Sequence, residues 1–502
     1  MRRLLPLLLL VTSAIAGPGP KPGSAFDLTT PFPIPGSRGR LIADGPNLRF
    51  EQDPKETRRV LVGTNLTGMA CFPNSDAQAN QWALDLKTRG YNAVRLHHMD
   101  WVIRDRGWDF KAGIDRFVAA LKAQGIYVTI DLFSERASDV GAFKRGVLNA
   151  DPRIRTDWET YATKLLNTPS RAKGCLAWKD EPAIFGICPL NEDDPRFLNV
   201  QARRYDPAYR WMLKKVRDTG YDGLVWGLNS EIDPQFLTTG RIFNVEDFHE
   251  YWDHPQGKTF LNTSGVRQHW QLAQRRMPSR PWFSTEWGSL PYNKLRGETG
   301  LFFAGEMQRQ GASCVLSFAL ATNEGMMSDR LAPIDQMAFH TDPVRLATER
   351  AMVLLLRKPS SPATVNWNRN AGTYTFQSPQ YQINISGNEA KRRADFIGSL
   401  DGRALDSSTR MLLIQFGDAQ NTGFKSHLVK DRVVFSADNR GSTPVREIPA
   451  STTFELKSNQ TLKAWSLDPY TGTRRKQVVC RQLNPTTWQV RPESLNTEIA
   501  TR

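Results

Sequence analysis

Between Val60 and Arg357 the chain alternates short apolar runs with stretches of helical spacing, and this rhythm restricts its fold more than any other feature. Eight runs read as strands: Val60–Thr64, Asn92–Leu96, Ile126–Ile130, Ala183–Pro189, Gly223–Leu228, Arg241–Val245, Trp282–Thr285 and Ser313–Phe318. Runs that are apolar throughout, without polar alternation, are those of parallel strands buried on both faces. Between them, Ala79, Trp82, Ala83 and Leu86 form one helical stripe closed by Gly90, and Ile114, Phe117, Val118 and Leu121 form another closed by Gly125. Further helices are expected over 154–167, 203–219, 266–276 and 344–357. Eight alternations predict an α/β fold and fit a closed parallel (β/α)8 barrel over 59–358 better than an open sheet.

From Thr364 the text changes. Thr373–Phe376, Gln382–Ile385, Met411–Ile414, Arg432–Phe435, Thr453–Leu456, Leu462–Leu467 and Thr487–Val490 are short alternating runs separated by Gly, Asn, Asp and Pro. They predict a smaller all-β sandwich over 364–495, packed on the side of the barrel. At the other end, Arg2-Arg3, the apolar Leu4–Ile15 and Ala14-Ile15-Ala16 have the form of a signal peptide over 1–16. A Pro- and Gly-rich stretch, 17–58, reads as a flexible lead-in. The protein is therefore expected to be secreted or periplasmic. The leader is short for a bilayer and no later segment is long and apolar enough, so no stable membrane insertion is expected.

The 502 residues carry a formal charge of +15, which stays strongly positive without Arg2 and Arg3. Basicity favours anionic partners. No dense Lys/Arg run interleaved with aromatics is present, and Arg474-Arg475-Lys476 is short, so nucleic acid is not expected; uronic-acid-containing or sulfated glycans are a weaker hint. Five widely spaced cysteines form neither a disulfide framework nor a zinc pattern; Cys188 and Cys314 read as core, and a bridge involving Cys71 or Cys175 stays open. Oligomeric state is not legible.

A barrel carries its chemistry at the C-terminal ends of its strands. There stand Arg95, His97, Asp131, Asn191, Glu192, Asn229, Glu246 and Glu286. Glu192 closes the fourth strand and Glu286 the seventh, and two facing carboxylates are the minimal equipment for cleaving a glycosidic bond. Taken singly, Glu192 reads equally well as a loop acid before Asp193-Asp194, and Glu286 as a helix cap or ion-pair partner. Their coincidence at matching barrel positions favours the joint reading.

This ordered set, with His249-x-Tyr251 after strand six and Trp287-Gly288 after the second glutamate, resembles the clan A glycoside hydrolases, most closely the family-five, cellulase-like group of TIM barrels. The resemblance spans roughly 60–357. It implies that Glu192 is the general acid/base and Glu286 the nucleophile. Asn191 would hold a sugar 2-hydroxyl, and Arg95 and Tyr251 would orient the nucleophile. Arg95, His97, His98, Asn191, Asn229, His249, Tyr251 and Trp287 are the candidate substrate contacts, with Trp287, Trp101 or Trp252 as sugar-stacking rings. The chain departs from the pattern in three places. No histidine follows strand three, Ser317-Phe318 replaces a tryptophan at strand eight, and His97-His98 has no counterpart.

The expected function is hydrolysis of O-glycosidic bonds, β-linked, in a polysaccharide or oligosaccharide, by a retaining two-glutamate mechanism without cofactor. The alternative is a catalytically silent carbohydrate-binding protein on the same scaffold. A metal-dependent hydrolase using His97, His98, Asp131 and Glu286 is disfavoured, because adjacent strand residues point to opposite faces and chelate poorly.

Overall fold

The computed structural model describes residues 19–230, 237–251, 258–260, 279–357, 374–385, 395–434 and 440–501, with short gaps at 291, 294–295, 330–331, 336, 379–380, 406, 426, 430–431 and 450–452. The expected leader and the helix expected over 266–276 lie outside them. Among the described residues no helix is long and apolar enough to cross a membrane.

A hairpin, β1 (Leu41–Asp44) and β2 (Asn47–Phe50), precedes eight parallel strands. These are β3 (Leu61–Thr67), β4 (Ala93–His97), β5 (Tyr127–Asp131), β6 (Ile184–Cys188), β7 (Leu224–Val225), β8 (Glu246–Tyr251), β10 (Trp282–Gly288) and β11 (Cys314–Ala321). β9 (Lys258–Phe260) is a short excursion after β8. The ladder runs β7-β6-β5-β4-β3-β11-β10-β8. The His249 N–H donates to the Asn229 carbonyl at 2.6 Å, joining β8 to the end of β7 and closing the barrel. β3, β4, β5, β6, β10 and β11 are buried at every position, as their apolar runs require.

The helices start where the sequence marks them. Ser75 accepts from the Gln78 N–H, and Asp151 caps the helix Pro152–Asn167 with proline in its first turn. Gly186 has a packing reason: a Cβ there would stand 2.0 Å from the Trp226 ring inside the barrel.

The lead-in is ordered, contrary to the flexible reading. Leu41, Leu48 and Phe50 of the hairpin join Leu61, Ala93, Tyr127, Phe185, Trp226 and Phe283 in one apolar cluster that fills the barrel interior. Its apolar residues bury surface too well to stay free. The Lys21 and Ala25 N–H groups donate to Thr471 and Gly472 of the sandwich, and Leu28 to Thr88 of the barrel.

The sandwich has a seven-stranded antiparallel sheet, in the order β14 (Asp395–Ser399), β15 (Arg410–Gln415), β24 (Asn496–Thr501), β21 (Leu462–Leu467), β22 (Arg474–Asn484), β23 (Thr487–Arg491), β20 (Phe454–Lys457). β12 (Tyr374–Ser378) pairs with β13 (Tyr381–Ile385), and β16 (Asp418–Thr422) with β19 (Ser442–Ile448). β17 (His427–Val429) and β18 (Arg432–Val434) form a hairpin that pairs through β18 with β9 of the barrel. β24 lies inside the sheet, so the domain runs past the expected limit at 495.

Candidate active site

Five strand ends converge at one mouth. Arg95 and His97 come from β4, Asp131 from β5, Asn191 and Glu192 from the turn after β6, His249 and Tyr251 from β8, and Glu286 from β10. β8 begins five residues later than the sequence predicts. Glu246 therefore opens β8 beside Trp282, away from the mouth, and His249 and Tyr251 lie on the strand instead of after it. β10 shifts register against both neighbours between Phe283 and Trp287, a bulge that re-aims side chains at a strand end.

Three chain exits at the mouth are left-handed: His98 (φ 54°), Glu192 (φ 46°) and Leu228 (φ 60°). Such backbone at non-glycine residues costs about 1–3 kcal/mol and persists only where its surroundings hold it. Here they do. The Glu192 N–H donates to Asn229 Oδ1 at 2.9 Å, and Lys144 Nζ donates to the Glu192 carbonyl at 2.9 Å. Asn229 is fully buried and also donates to Asn191 Oδ1 at 3.1 Å, so it positions the Asn191-Glu192 pair and is no substrate contact.

Arg95, 1% exposed, is the hub. It donates to Glu286 Oε1 at 2.5 Å, to Asp131 Oδ1 at 2.8 Å and to Asn191 Oδ1 at 2.7 Å. Tyr251 donates to Glu286 Oε2 at 2.6 Å. His97 Nδ1 meets Asp131 Oδ2 at 2.5 Å, and its Nε2 stands 3.4 Å from Glu286 Oε1. Burial and the charges of Arg95 and His249 push His97 well below the usual imidazole range, so it is neutral.

His249 is the opposite case. Thr285 gives its hydroxyl proton to Asp247 (2.6 Å), so the Thr285 oxygen accepts from His249 Nε2 at 3.2 Å, while His249 Nδ1 faces Glu192 Oε1 at 3.0 Å. Both ring nitrogens donate. Burial opposes the charge, but Glu286 and Glu192 outweigh it and raise His249.

Glu192, Glu286 and His249 present atoms that all lie within 4.8 Å of one another. Burial raises Glu192, yet the hydrogen bond from His249 and the charges of His249 and Lys144 hold it down to about 2. Burial raises Glu286 against the pull of His249 and Arg95. Although these three side chains lie close enough for a metal ion, Arg95 and Tyr251 already donate to both Glu286 oxygens and His249 to Glu192, which does not fit a cation.

Trp287 is corrected as a sugar contact, and so is the expected geometry of His97 and His98. Trp287 is fully buried on the outer side of β10, stacked on Phe303 at 4.8 Å with the Arg345 guanidinium 4.9 Å from its ring, so it cannot reach a sugar. Its neighbour Glu286 takes the inward side, as strand alternation demands. His97 and His98 do not point apart: the left-handed His98 leaves the strand and stacks its ring on His97 at 3.7 Å. Trp101 is half-buried beside Gly68, and Trp252 lies outside the described residues.

Sequence reasoning missed Lys144, Asp247 and Phe318. Lys144 falls in an excursion without periodicity. Asp247 lies beyond the expected end of strand six. Phe318, noted only as a departure, sets its ring between His97 (6.0 Å) and Tyr251 (5.9 Å). All five cysteines are free.

No protein-family model matches this chain, and no curated protein matches it. Among solved structures it is similar to an endo-β-1,4-mannanase from Thermotoga petrophila, at 12% identity over 72% of this chain and 96% of that one, TM-score 0.49. It is also similar to an endo-1,4-β-mannanase from Rhizomucor miehei, at 14% identity over 62% and 99%, TM-score 0.46. A protein described as a glycoside hydrolase aligns over 94% of this chain and 98% of its own, at 10% identity and TM-score 0.45. The likeness is one of fold.

Proposed function

We propose that this protein is a retaining glycoside hydrolase acting on an oligosaccharide or polysaccharide, with Glu286 as nucleophile and Glu192 as general acid/base. The observation that carries this reading is the approach of Glu192 and Glu286 to within 4.8 Å, close to the ~5–5.5 Å of double-displacement sites. An inverting enzyme needs about 6.5–9.5 Å to admit water between the carboxyl groups.

Glu286 would attack the anomeric carbon while Glu192 protonates the departing oxygen; water, deprotonated by Glu192, would then release the glycosyl group. Arg95 and Tyr251 each occupy one Glu286 oxygen and fix its direction of attack. Asn191 has its amide oxygen committed to Arg95 and Asn229, which leaves its amide nitrogen for a sugar hydroxyl. His249 Nδ1 stands 3.0 Å from Glu192 and 3.4 Å from Glu286, so it can give its proton to one and take the proton of the other. Export is part of this reading and rests on the Arg2–Ala16 sequence.

The second reading is a carbohydrate-binding protein without turnover on the same scaffold. Product release from β-glucans, mannans, xylans, galactans and acidic glycans separates the two, with Glu192→Ala and Glu286→Ala as controls and NMR of the anomeric product. Products of retained configuration, lost in both variants, are expected. Inverted products, or activity surviving Glu286→Ala, would overturn the proposal.

A further inference from the structure

Two stacked imidazoles lead from Glu286 to a third carboxylate that the mechanism does not use. His97 Nε2 lies 3.4 Å from Glu286, His98 stacks on His97 at 3.7 Å, and His98 Nδ1 lies 3.8 Å from Glu135. The Glu135 side chain is 50% exposed and that of His98 23%, so both reach solvent.

Glu135 is held in place from beneath. Asp100, fully buried, accepts from the Ser134 N–H (2.8 Å) and hydroxyl (2.7 Å) and from the N–H groups of Glu135 (3.0 Å) and Arg136 (3.0 Å). Arg104 donates to the Arg136 carbonyl at 2.7 Å. A loop tied this firmly presents its side chain in one place, as recognition requires. Among the described residues no hydrogen bond takes up the Glu135 carboxylate. His98 is kept neutral by burial and by His97, so it forms no ion pair with Glu135.

We propose that Glu135 and His98 form the sugar subsite one ring outward from the nucleophile, built for the hydroxyls of a neutral sugar and closed to a uronate or sulfate. The inference rests on the glycosidase reading and deepens it. A carboxylate offers up to four lone-pair positions and suits adjacent hydroxyls, which donate to it in charge-assisted bonds. An anionic sugar finds the reverse. Asp131, Glu192, Glu286 and Glu135 lie along this wall, and the cations beside them, Arg95, His249 and Lys144, are already committed, Lys144 to the Glu192 carbonyl. The protein's overall positive charge therefore does not extend to this part of its cleft.

The test uses the full chain and the neutral oligosaccharide it cleaves or binds best, beside the same oligosaccharide with primary hydroxyls oxidised to carboxylates. KM, kcat and calorimetric affinity are measured for wild type, Glu135→Gln and Glu135→Lys, with thermal midpoints as a check on folding. Wild type is expected to favour the neutral form. Glu135→Gln should raise its KM roughly tenfold, the loss of one hydrogen bond to a charged group, with kcat little changed. The same variant should narrow the neutral-to-oxidised ratio, and Glu135→Lys should invert it. A merely structural Glu135 would lower the thermal midpoint and leave the ratio as it was. An unchanged ratio in both variants, or a wild type that prefers the oxidised form, overturns the proposal. Binding with the expected ratio but no turnover would leave the subsite standing and remove the glycosidase reading; turnover with an unchanged ratio would do the opposite.

Discussion

Two buried arginines in this molecule perform the same elementary task with different results. Arg95 at the barrel mouth holds Glu286, Asp131 and Asn191; Arg296, fully buried, holds both oxygens of Asp342, Asp418 Oδ1 and the carbonyls of Asn293 and Ala419. Burial lowers both guanidiniums, and both are raised regardless by their carboxylates. The difference is what the carboxylates face. Asp342 is closed over by protein, and Arg296, which opens the helix Arg296–Arg309 after β10, joins that helix to β16 of the sandwich. Glu286 instead faces Glu192, whose side chain is 45% exposed. A buried arginine–carboxylate cluster therefore marks no site by itself. A site needs a carboxylate left open to the cleft, opposite a second one.

The comparison breaks most sharply by exchanging consequences. Glu286→Gln should lower kcat by roughly 10⁴-fold or more while leaving the thermal midpoint within a few degrees, because a nucleophile is lost and the fold is not. Arg296→Met should do the reverse. Leaving Asp342 and Asp418 without their cation costs about 3–5 kcal/mol in denaturant unfolding, with kcat per folded molecule unchanged. Equal losses of activity in both would erase the distinction. Tyr251→Phe removes one hydrogen bond to Glu286 and should lower kcat about ten- to a hundredfold, without affecting unfolding midpoints. The smallest effect is on pH dependence. His249 opposes the rise of Glu286 and holds Glu192 near 2, so His249→Asn should raise both carboxyls. The acid limb of kcat/KM, set by ionisation of Glu286, should then move to higher pH; a shift to lower pH would refute the assigned charge on His249.

Much of this was legible because burial leaves a strong trace. The barrel strands are apolar on both faces, and the acids that close them break those runs abruptly. Strand six was misplaced because Glu246–Tyr251 alternates charged and aromatic residues where its neighbours are apolar. The stacking of His98 on His97 depends on one left-handed residue, which side-chain periodicity cannot report. In the sandwich, β21 was read to the residue, while β22, Arg-Arg-Lys-Gln-Val-Val-Cys-Arg-Gln-Leu-Asn, was passed over because most of its positions face solvent. β24 carries Glu498 at a buried position, where Arg410 and Arg474 neutralise it, and such compensation from strands far along the chain has no local signature.

The ordered lead-in has a consequence for how the molecule is made. Phe26 is fully buried, with the Arg350 guanidinium 3.6 Å from its ring, and Lys21 and Ala25 bond to Thr471 and Gly472. These contacts join residues some four hundred and fifty positions apart. During synthesis the first segment emerges long before its partners, and loop closure over that distance is entropically slow. A nascent chain halted before the turn at 468–473 lacks the Gly472 backbone that packs on the Phe26 ring and accepts from Ala25. A later-made part of the chain thus secures an earlier one.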